Sequence, residues 1–357
     1  MRAATKRRLR FFISVLAIIA TGGALLGSVL GRAPLVGALV SAIDAVLVLG
    51  TVAAAEIFLP QTRLGRVLEG APFLFTFVVK WLAYYALVVI EIGGRLGRHL
   101  VTAVLIGGDP RLVVAHQPPR VPLRAAMMIL ALFVPTCILL IQLSRLIGER
   151  TLRDIMLGRY HRPRAEERFF LFVDIAGSTP LAERIGPAAV HRFLGRVFHV
   201  ASEAIDDYRG EIYQYVGDEI VITWTASEGR RGARPLACFF EIEQALTRAA
   251  PDFDRDFGVA PRLRAALHAG PVIAGEVGES RRAIVFHGDV MNTTARIEGT
   301  TRDLERQFLV SADALERLDG VEAYALEDLG LQQLRGRAEA VRVYSVAAHS
   351  SQNLAPE

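Results

Sequence analysis

The stretch Arg168-Phe-Phe-Leu-Phe-Val-Asp-Ile-Ala-Gly-Ser-Thr179 is the tightest constraint on this chain. Five bulky apolar residues in a row leave no face for water, so Phe169–Val173 reads as a strand buried on both sides that ends at Asp174. Gly177 then permits a backbone turn, Ser178 or Thr179 can cap a helix, and Pro180 suits a first helical turn. The expected helix runs from Pro180 to Tyr208, with Gly210 just past its end. Glu211–Val216 and Ile220–Thr225 follow as two strands joined by a Gly217-Asp218 turn, a strong hairpin signal. Pro235–Ala249 is a second helix. Arg262–Ala269 and Ala283–Phe286 are strands with Gly270, Gly275 and Gly278 between them. Val290–Thr300 is a third helix and Phe308–Val310 a further strand. The order β-α-β-β-α-β, with additions, predicts an α+β domain of the split βαβ, or ferredoxin-like, plan over 168–347, with a polar tail at 348–357.

The first part of the chain is different. Of 357 residues 52% are hydrophobic, and the mean hydropathy is +0.33, too apolar for an ordinary soluble chain of this charge content. Four apolar stretches, 9–30, 34–59, 71–92 and 125–147, are long enough to cross a roughly 30 Å hydrocarbon core as helices. Residues 1–147 are therefore expected to be an all-α transmembrane module, and the charged segment 148–167 a cytoplasmic connector. The net charge is +4, with Arg2, Lys6, Arg7, Arg8 and Arg10 ahead of the first stretch. That pattern reads as a cytoplasmic anchor against lipid, not as nucleic-acid binding. A secretory signal peptide is the competing reading of this start. Four spans would return the chain to the cytoplasm, giving a multi-pass protein of the inner membrane. The connection 93–124 sits awkwardly with that topology: it would lie outside yet carries Arg95, Arg98, Arg111, Arg120 and Arg124, and its Leu100–Ile106 stretch is too short to span but could lie in the interface or re-enter. Asp44, Glu56, Lys80 and Glu91 fall in or near the spans; they read as a ligand, ion or proton sensor, or more blandly as Asp44 and Lys80 satisfying each other or Glu56 and Glu91 sitting at span ends and reaching the headgroups. Cys137 and Cys238 lie in different parts of the chain, which argues against a mutual disulfide.

The chemistry sits downstream. In the split βαβ plan the first strand lies beside the hairpin, which brings Asp174 and Asp218 to one sheet edge. Two such carboxylates can share divalent cations whose remaining ligands are phosphate oxygens and water. The helix start after Gly177, Ser178 and Thr179 favours an anionic phosphate chain. A further motif, Phe286-His-Gly-Asp-Val-Met-Asn-Thr-Thr-Ala-Arg-Ile-Glu298, places Asn292 and Arg296 four apart on one helix face. An amide there can orient a ribose oxygen, and a guanidinium can neutralise charge on a phosphoryl group. The bland reading of the same helix is a polar outer face with Glu298 or Asp289 as partner for Arg296.

Phe-Val-Asp-Ile-Ala-Gly-Ser-Thr, Tyr-Val-Gly-Asp-Glu and Gly-Asp-Val-Met-Asn-Thr-Thr-Ala-Arg, in this order, resemble the catalytic domain of class III nucleotidyl cyclases over about 166–346. The whole layout resembles membrane-bound bacterial members with a helical N-terminal module. The resemblance implies a homodimer with active sites at the interface. One subunit supplies Asp174, Ile175 and Asp218 for two Mg²⁺ or Mn²⁺ ions, with Gly177, Ser178 and Thr179 at the phosphates. The other supplies Asn292 and Arg296, and Arg335 stands where the family has a phosphate-binding lysine. The implied reaction is attack of the ribose 3′-oxygen on the α-phosphate, giving a 3′,5′-cyclic nucleotide and pyrophosphate.

At the base-binding positions the chain departs from the family pattern. It has Gln214 and Val285 where adenylate cyclases usually pair lysine with aspartate or threonine, and guanylate cyclases glutamate with cysteine. Gln214 can donate and accept, and Val285 offers no hydrogen bond. ATP is the expected substrate, with GTP or both purines as the alternative. A catalytically silent cyclase-like module that binds nucleotide or dimerises is the rival from another class. A diguanylate cyclase and a transporter are more distant ones.

Overall fold

The computed structural model describes 147–279, 282–337, 339–349, 34–59 and 71–105 continuously, and scattered residues of 9–25, 62–67 and 132–143; among the described residues of the N-terminal half, two helices are long. The chain divides into two compact units, Met1–Leu152 and Arg153–Glu357. In the first unit, helices α1 (Pro34–Phe58) and α2 (Phe73–Leu105) are joined by a buried ion pair. Lys80 Nζ lies 2.9 Å from Glu56 Oε2, and the Tyr84 hydroxyl donates to Glu56 Oε1 at 2.8 Å. Lys80 thus pairs with Glu56, not with Asp44 as the sequence suggested; the Asp44 side chain is outside the described ones.

The expectation of a multi-pass membrane protein does not survive. Among the described residues, no helix is long and apolar enough to cross a membrane. Ionisable residues interrupt both long helices: Asp44 and Glu56 in α1, and Lys80, Glu91, Arg95 and Arg98 in α2. Lys80 and Glu56 are both buried where the two helices meet. Helix α2 also continues through Gly93 and Gly94 to Leu105, so Leu100–Leu105 is its last part and not a separate interfacial piece. The remainder of the 93–124 connection, Cys137, much of the 9–30 and 125–147 stretches, and the tail beyond His349 lie outside the described residues.

The segment 148–167 opens with helix α3 (Glu149–Met156) and ends inside a strand. Asp154 is buried between Arg153 and Arg159, at 3.6 and 3.7 Å. Strand β1 (Arg164–Ile175) is the spine of the second unit. Phe169, Leu171, Val173 and Ile175 face one side of the sheet, and Phe170 and Phe172 face the other. This is the two-sided burial that the apolar run required.

Helices α4 (Ser178–Ile185) and α5 (Pro187–Asp207) follow, then strands β2 (Glu211–Val216) and β3 (Glu219–Thr225), helix α6 (Arg234–Phe257), and strands β4 (Leu263–Val277) and β5 (Ala283–His287). Helix α7 (Asp289–Asp303) leads to β6 (Phe308–Ser311), β7 (Tyr324–Gln332) and β8 (Val341–Ala348). The sheet order is β2-β3-β1-β4-β6-β8-β7, with β5 beside β4. Strand β1 is antiparallel to both β3 and β4, as the split βαβ plan demands.

Helices α5 and α6 cover the face formed by Phe169, Leu171 and Val173, contributing Phe193, Val197, Phe239 and Phe253. Trp224 is fully buried there, and its indole N–H is satisfied by the Tyr208 carbonyl at 2.9 Å, just past the end of α5. Helix α7 lies on the opposite face, with Val290 against Phe170 and Phe286, and Ile297 against Ala266 and Leu309.

Three local expectations need correction. The helix expected over 180–208 is two helices, because Gly186 adopts φ 81° and Pro187, at the start of α5, cannot donate back into a continuous helix. Helix α6 runs eight residues beyond Ala249, to Phe257, and passes Pro251 before Gly258 ends it in the left-handed conformation. Strand β4 continues through Gly270 and Gly275 instead of stopping at Ala269. At Gly270 a β-carbon would fall 2.9 Å from Val290 Cγ2, so this glycine is what lets α7 lie so close to the sheet.

Candidate active site

Asp174 is the penultimate residue of β1 and only 8% exposed. Ile175 closes the strand with its side chain in the core, so only its backbone can serve a ligand at that edge. Gly177 then turns the chain with φ 79°, a conformation a β-carbon disfavours, and α4 begins at Ser178. Val173 pairs with Ile220, which sets the β2–β3 turn beside the end of β1. The Ser178 hydroxyl donates to Oδ2 of Asp218 in that turn. No side chain caps α4, so Ser178 serves the hairpin turn instead of the helix end, and Thr179 is exposed.

The electrostatics of this edge are lopsided. Burial pushes the Asp174 carboxyl up to about 6, with the negative charges of Asp218 and Glu298 adding and Arg302 opposing. Glu219 is pushed up to about 7, by burial first and then by Glu298, Asp174 and Asp218. Burial also raises Glu298, against Arg302 and Arg264. Among the described residues, no three His, Cys, Asp or Glu side chains converge as a closed metal cage. Two hard carboxylates in a crowd of like charge do suit a divalent cation that takes the rest of its shell from phosphate and water, and they fit Mg²⁺ or Mn²⁺.

A second group of residues sits on α7. Asn292 is exposed, and Arg296 is half-buried and donates from Nη1 to the Gly336 carbonyl at 3.2 Å. The loop carrying Gly336 is fastened to the same helix by Arg337, which donates to Thr293 Oγ1 at 2.7 Å and lies 3.2 Å from Asp289 Oδ2. Arg335 is exposed in that loop, beside the residue whose carbonyl Arg296 holds. Neither acid considered from sequence partners Arg296: Asp289 is paired with Arg337, and the charge of Glu298 bears on Asp174. No hydrogen bond or ion pair among the described residues joins Asp174 or Asp218 to Asn292, Arg296 or Arg335.

The base-site candidates form a third group. Gln214 is exposed on β2, just after an irregularity at Tyr213, and Val285 is half-buried on β5 opposite Gly275. Their chain neighbours Tyr213 and Phe286 are in ring contact, with centroids 5.1 Å apart. Sequence reasoning missed Glu219 and Arg337, and misread Glu298. Glu219 follows Asp218 in the turn, so the signal for it was adjacency alone. The signal for Glu298 was helical spacing, because it stands two residues from Arg296 and so leaves the Asn292–Arg296 face.

A family model, the adenylate and guanylate cyclase catalytic domain, matches residues 161–348. The chain belongs to this family. Its catalytic region is a class III cyclase domain with a mixed α/β sheet. Adenylate cyclase 2 of Rhizobium meliloti (strain 1021) is 41% identical over 213 residues, covering 60% of this chain and 59% of that protein. An adenylate cyclase of Anabaena cylindrica is 29% identical over 184 residues, covering 50% of this chain and 36% of its own length. The chain therefore spans less than two thirds of either relative. The crystal structure of the adenylyl cyclase CyaB from P. aeruginosa superposes at a TM-score of 0.48 with 17% identity, over 54% of this chain and all of that one.

Proposed function

We propose that the chain is an adenylate cyclase that converts ATP to 3′,5′-cyclic AMP and pyrophosphate at a site shared by two copies. The observation that carries this reading is the partition of the candidate residues. Asp174 and Asp218 meet at the end of β1, where Ser178 donates to Asp218, whereas Arg296 and the Arg335 loop are held together beside α7 without a bond to them. Two half-sites on one chain become whole sites when a second copy supplies the complementary half. The relatives named adenylate cyclases support ATP as the substrate.

In this reading Asp174 and Asp218, with the Ile175 backbone, hold two Mg²⁺ or Mn²⁺ ions. Such ions, when bound, lower the pKa of the attacking hydroxyl and neutralise phosphate charge. The ribose 3′-hydroxyl gives its proton to solvent as its oxygen attacks the α-phosphorus; the new P–O bond forms as the α–β phosphoanhydride bond breaks, and pyrophosphate leaves. The turn at Gly177, Ser178 and Thr179 receives the phosphate chain. Arg296 of the second copy counters charge building on the transferring phosphoryl group, which acts only in the transition state and so raises kcat. Asn292 orients the ribose, and Arg335 holds the terminal phosphates. Gln214 and Val285 form a base site with one adaptable polar group, and such a site discriminates purines weakly.

Turnover of the purified full chain with ATP and with GTP under Mn²⁺, products resolved by chromatography, tests the reaction. Cyclic AMP from ATP is expected. Cyclic GMP alone would reverse the substrate, and no cyclic product from a folded, dimeric sample would favour a silent nucleotide-binding module. Mixing an Asp174→Ala chain with an Arg296→Ala chain tests the shared site. Each is inactive alone, and the mixture recovers activity because the heterodimer holds one intact site. No recovery, with co-assembly demonstrated, removes the two-copy site.

A further inference from the structure

Arg168 is 3% exposed, a buried guanidinium that opens the buried stretch of β1, six residues before Asp174. Its Nε donates to Glu166 Oε1 at 2.6 Å, Nη2 to the Tyr160 hydroxyl at 3.3 Å, and Nη1 to Glu211 Oε2 at 3.4 Å and Thr223 Oγ1 at 3.3 Å. Burial works against its charge, and the two carboxylates more than offset that. The guanidinium carbon, Cζ, lies over the Phe286 ring, 4.3 Å from its centroid. Tyr160, which precedes β1, is 1% exposed, donates to Glu166 at 3.2 Å, and accepts the Glu276 N–H through its carbonyl at 3.0 Å.

These contacts converge on the two strands of the base site. Phe286 follows Val285 on β5, and Glu276, held by Tyr160, pairs with Ile284 on the same strand. Tyr213, which packs on Phe286, precedes Gln214 on β2, and Glu211 begins β2. One guanidinium therefore touches β2 through Glu211, β5 through Phe286, and the segment entering the domain through Tyr160. Arg is suited to this and Lys is not, because only a planar fork can donate in several directions while stacking on a ring.

We propose that Arg168 is a positioning residue that sets the spacing of Gln214 and Val285, and so the purine fit, and that Tyr160 couples the entering segment to that spacing. The inference rests on the cyclase reading for the identity of the two base-site residues. Arg168 touches no substrate and acts through Phe286 and Glu211.

The test uses full-length chains carrying Arg168→Lys or Tyr160→Phe. kcat and KM are measured for ATP and for GTP, and binding of fluorescent non-cyclisable analogues of both nucleotides is measured in parallel. Arg168→Lys is expected to raise KM for ATP about tenfold and to change the ATP-to-GTP ratio of kcat/KM at least about fivefold, with kcat within about threefold, as loss of uniform binding predicts. Tyr160→Phe, which removes one hydroxyl, is expected to move the same quantities in the same direction by about threefold. If both variants are destabilised but keep the wild-type nucleotide ratio, Arg168 is purely structural and the proposal fails. If Arg168→Lys does not fold, Tyr160→Phe alone decides. If the wild type binds both analogues but makes no cyclic product, the cyclase reading fails, and the binding ratio still decides the role of Arg168.

Discussion

Strand β1 carries a charge near each end of its buried stretch, and the surroundings of the two differ in sign. Arg168, 3% exposed, is ringed by Glu166 and Glu211 and by the hydroxyls of Tyr160 and Thr223. Asp174, 8% exposed and six residues on, feels mainly Asp218 and Glu298, with Arg302 the opposing charge. A buried charge is tolerated when it is paired and hydrogen-bonded, and is otherwise a burden on the fold. One end of the stretch satisfies that rule and the other violates it. Under the proposed reading, the second end takes its counter-charge from a bound cation. The largest expected effect follows. Asp174→Ala or Asp218→Ala should reduce cyclase turnover by more than about 10³-fold and abolish Mn²⁺ binding in titration calorimetry, with the chain still folded. Wild-type metal binding in either variant would break the comparison.

The opposite end should respond in the opposite currency, stability before chemistry. Arg168→Met leaves Glu166 and Glu211 without their buried partner and should destabilise the second unit by about 3–5 kcal/mol, read as a lower urea midpoint. A change of less than about 1 kcal/mol would mean that the two carboxylates find water, and that the pairing is not what holds the charge in place.

Acid sharpens the contrast. Burial, and then the charges of Asp218 and Glu298, push the Asp174 carboxyl in the folded chain up to about 6 from its ordinary 3.8. Its ionised form therefore opposes folding: the penalty is absent below the unfolded pKa, grows as pH rises through the window from about 4 to 6, and is complete above it. The ceiling is about 3 kcal/mol. In EDTA, Asp174→Asn should be more stable than wild type near pH 7.5, and the gap should close towards pH 4. Saturating Mn²⁺ should raise the wild-type melting temperature at pH 7.5 and leave that of Asp174→Asn nearly unmoved. A constant gap across pH would place the charge of Asp174 in water.

The contrast also marks what the sequence made legible. Elements were readable where one local pattern decided them: the apolar run of β1, the Gly217-Asp218 turn, and the Asn292/Arg296 spacing. Boundaries failed where a single backbone angle decided, as at Gly186, or where tertiary packing overrode a breaker, as at Pro251 in α6 and Gly270 in β4. The membrane reading is overturned by the helices themselves, none of which, among the described residues, is long and apolar enough to cross a membrane; the Glu56–Lys80 pair was unreadable because it depends on two helices meeting. The neighbours of Asp174 were half legible. Asp218 announces itself in a hairpin turn, but Glu298 comes from α7, 124 residues along the chain from Asp174, and only the folded sheet brings their charges together. Arg168 was visible only as the residue before an apolar run. Apart from Glu166, two residues before it on β1, its partners come from three other strands and the segment before β1, which no local pattern encodes.

The smallest expected effect tests how the Asp174 end is held in place. Ser178 donates its hydroxyl to Asp218, joining the start of α4 to the hairpin turn, while the helix itself goes without a side-chain cap. A capping serine contributes mainly to stability, whereas a serine that aims a carboxylate contributes mainly to function. Ser178→Ala should therefore lower kcat/KM for ATP by about tenfold, equivalent to about 1.4 kcal/mol, and weaken Mn²⁺ binding by a similar factor. Its urea midpoint should stay within about 0.5 kcal/mol of wild type, because no cap is lost. Ser178→Thr, which keeps the hydroxyl, should recover most of the activity. If Ser178→Ala instead destabilises the chain and leaves metal affinity intact, Ser178 belongs to the helix end, and Asp218 is aimed by the Gly217 turn alone.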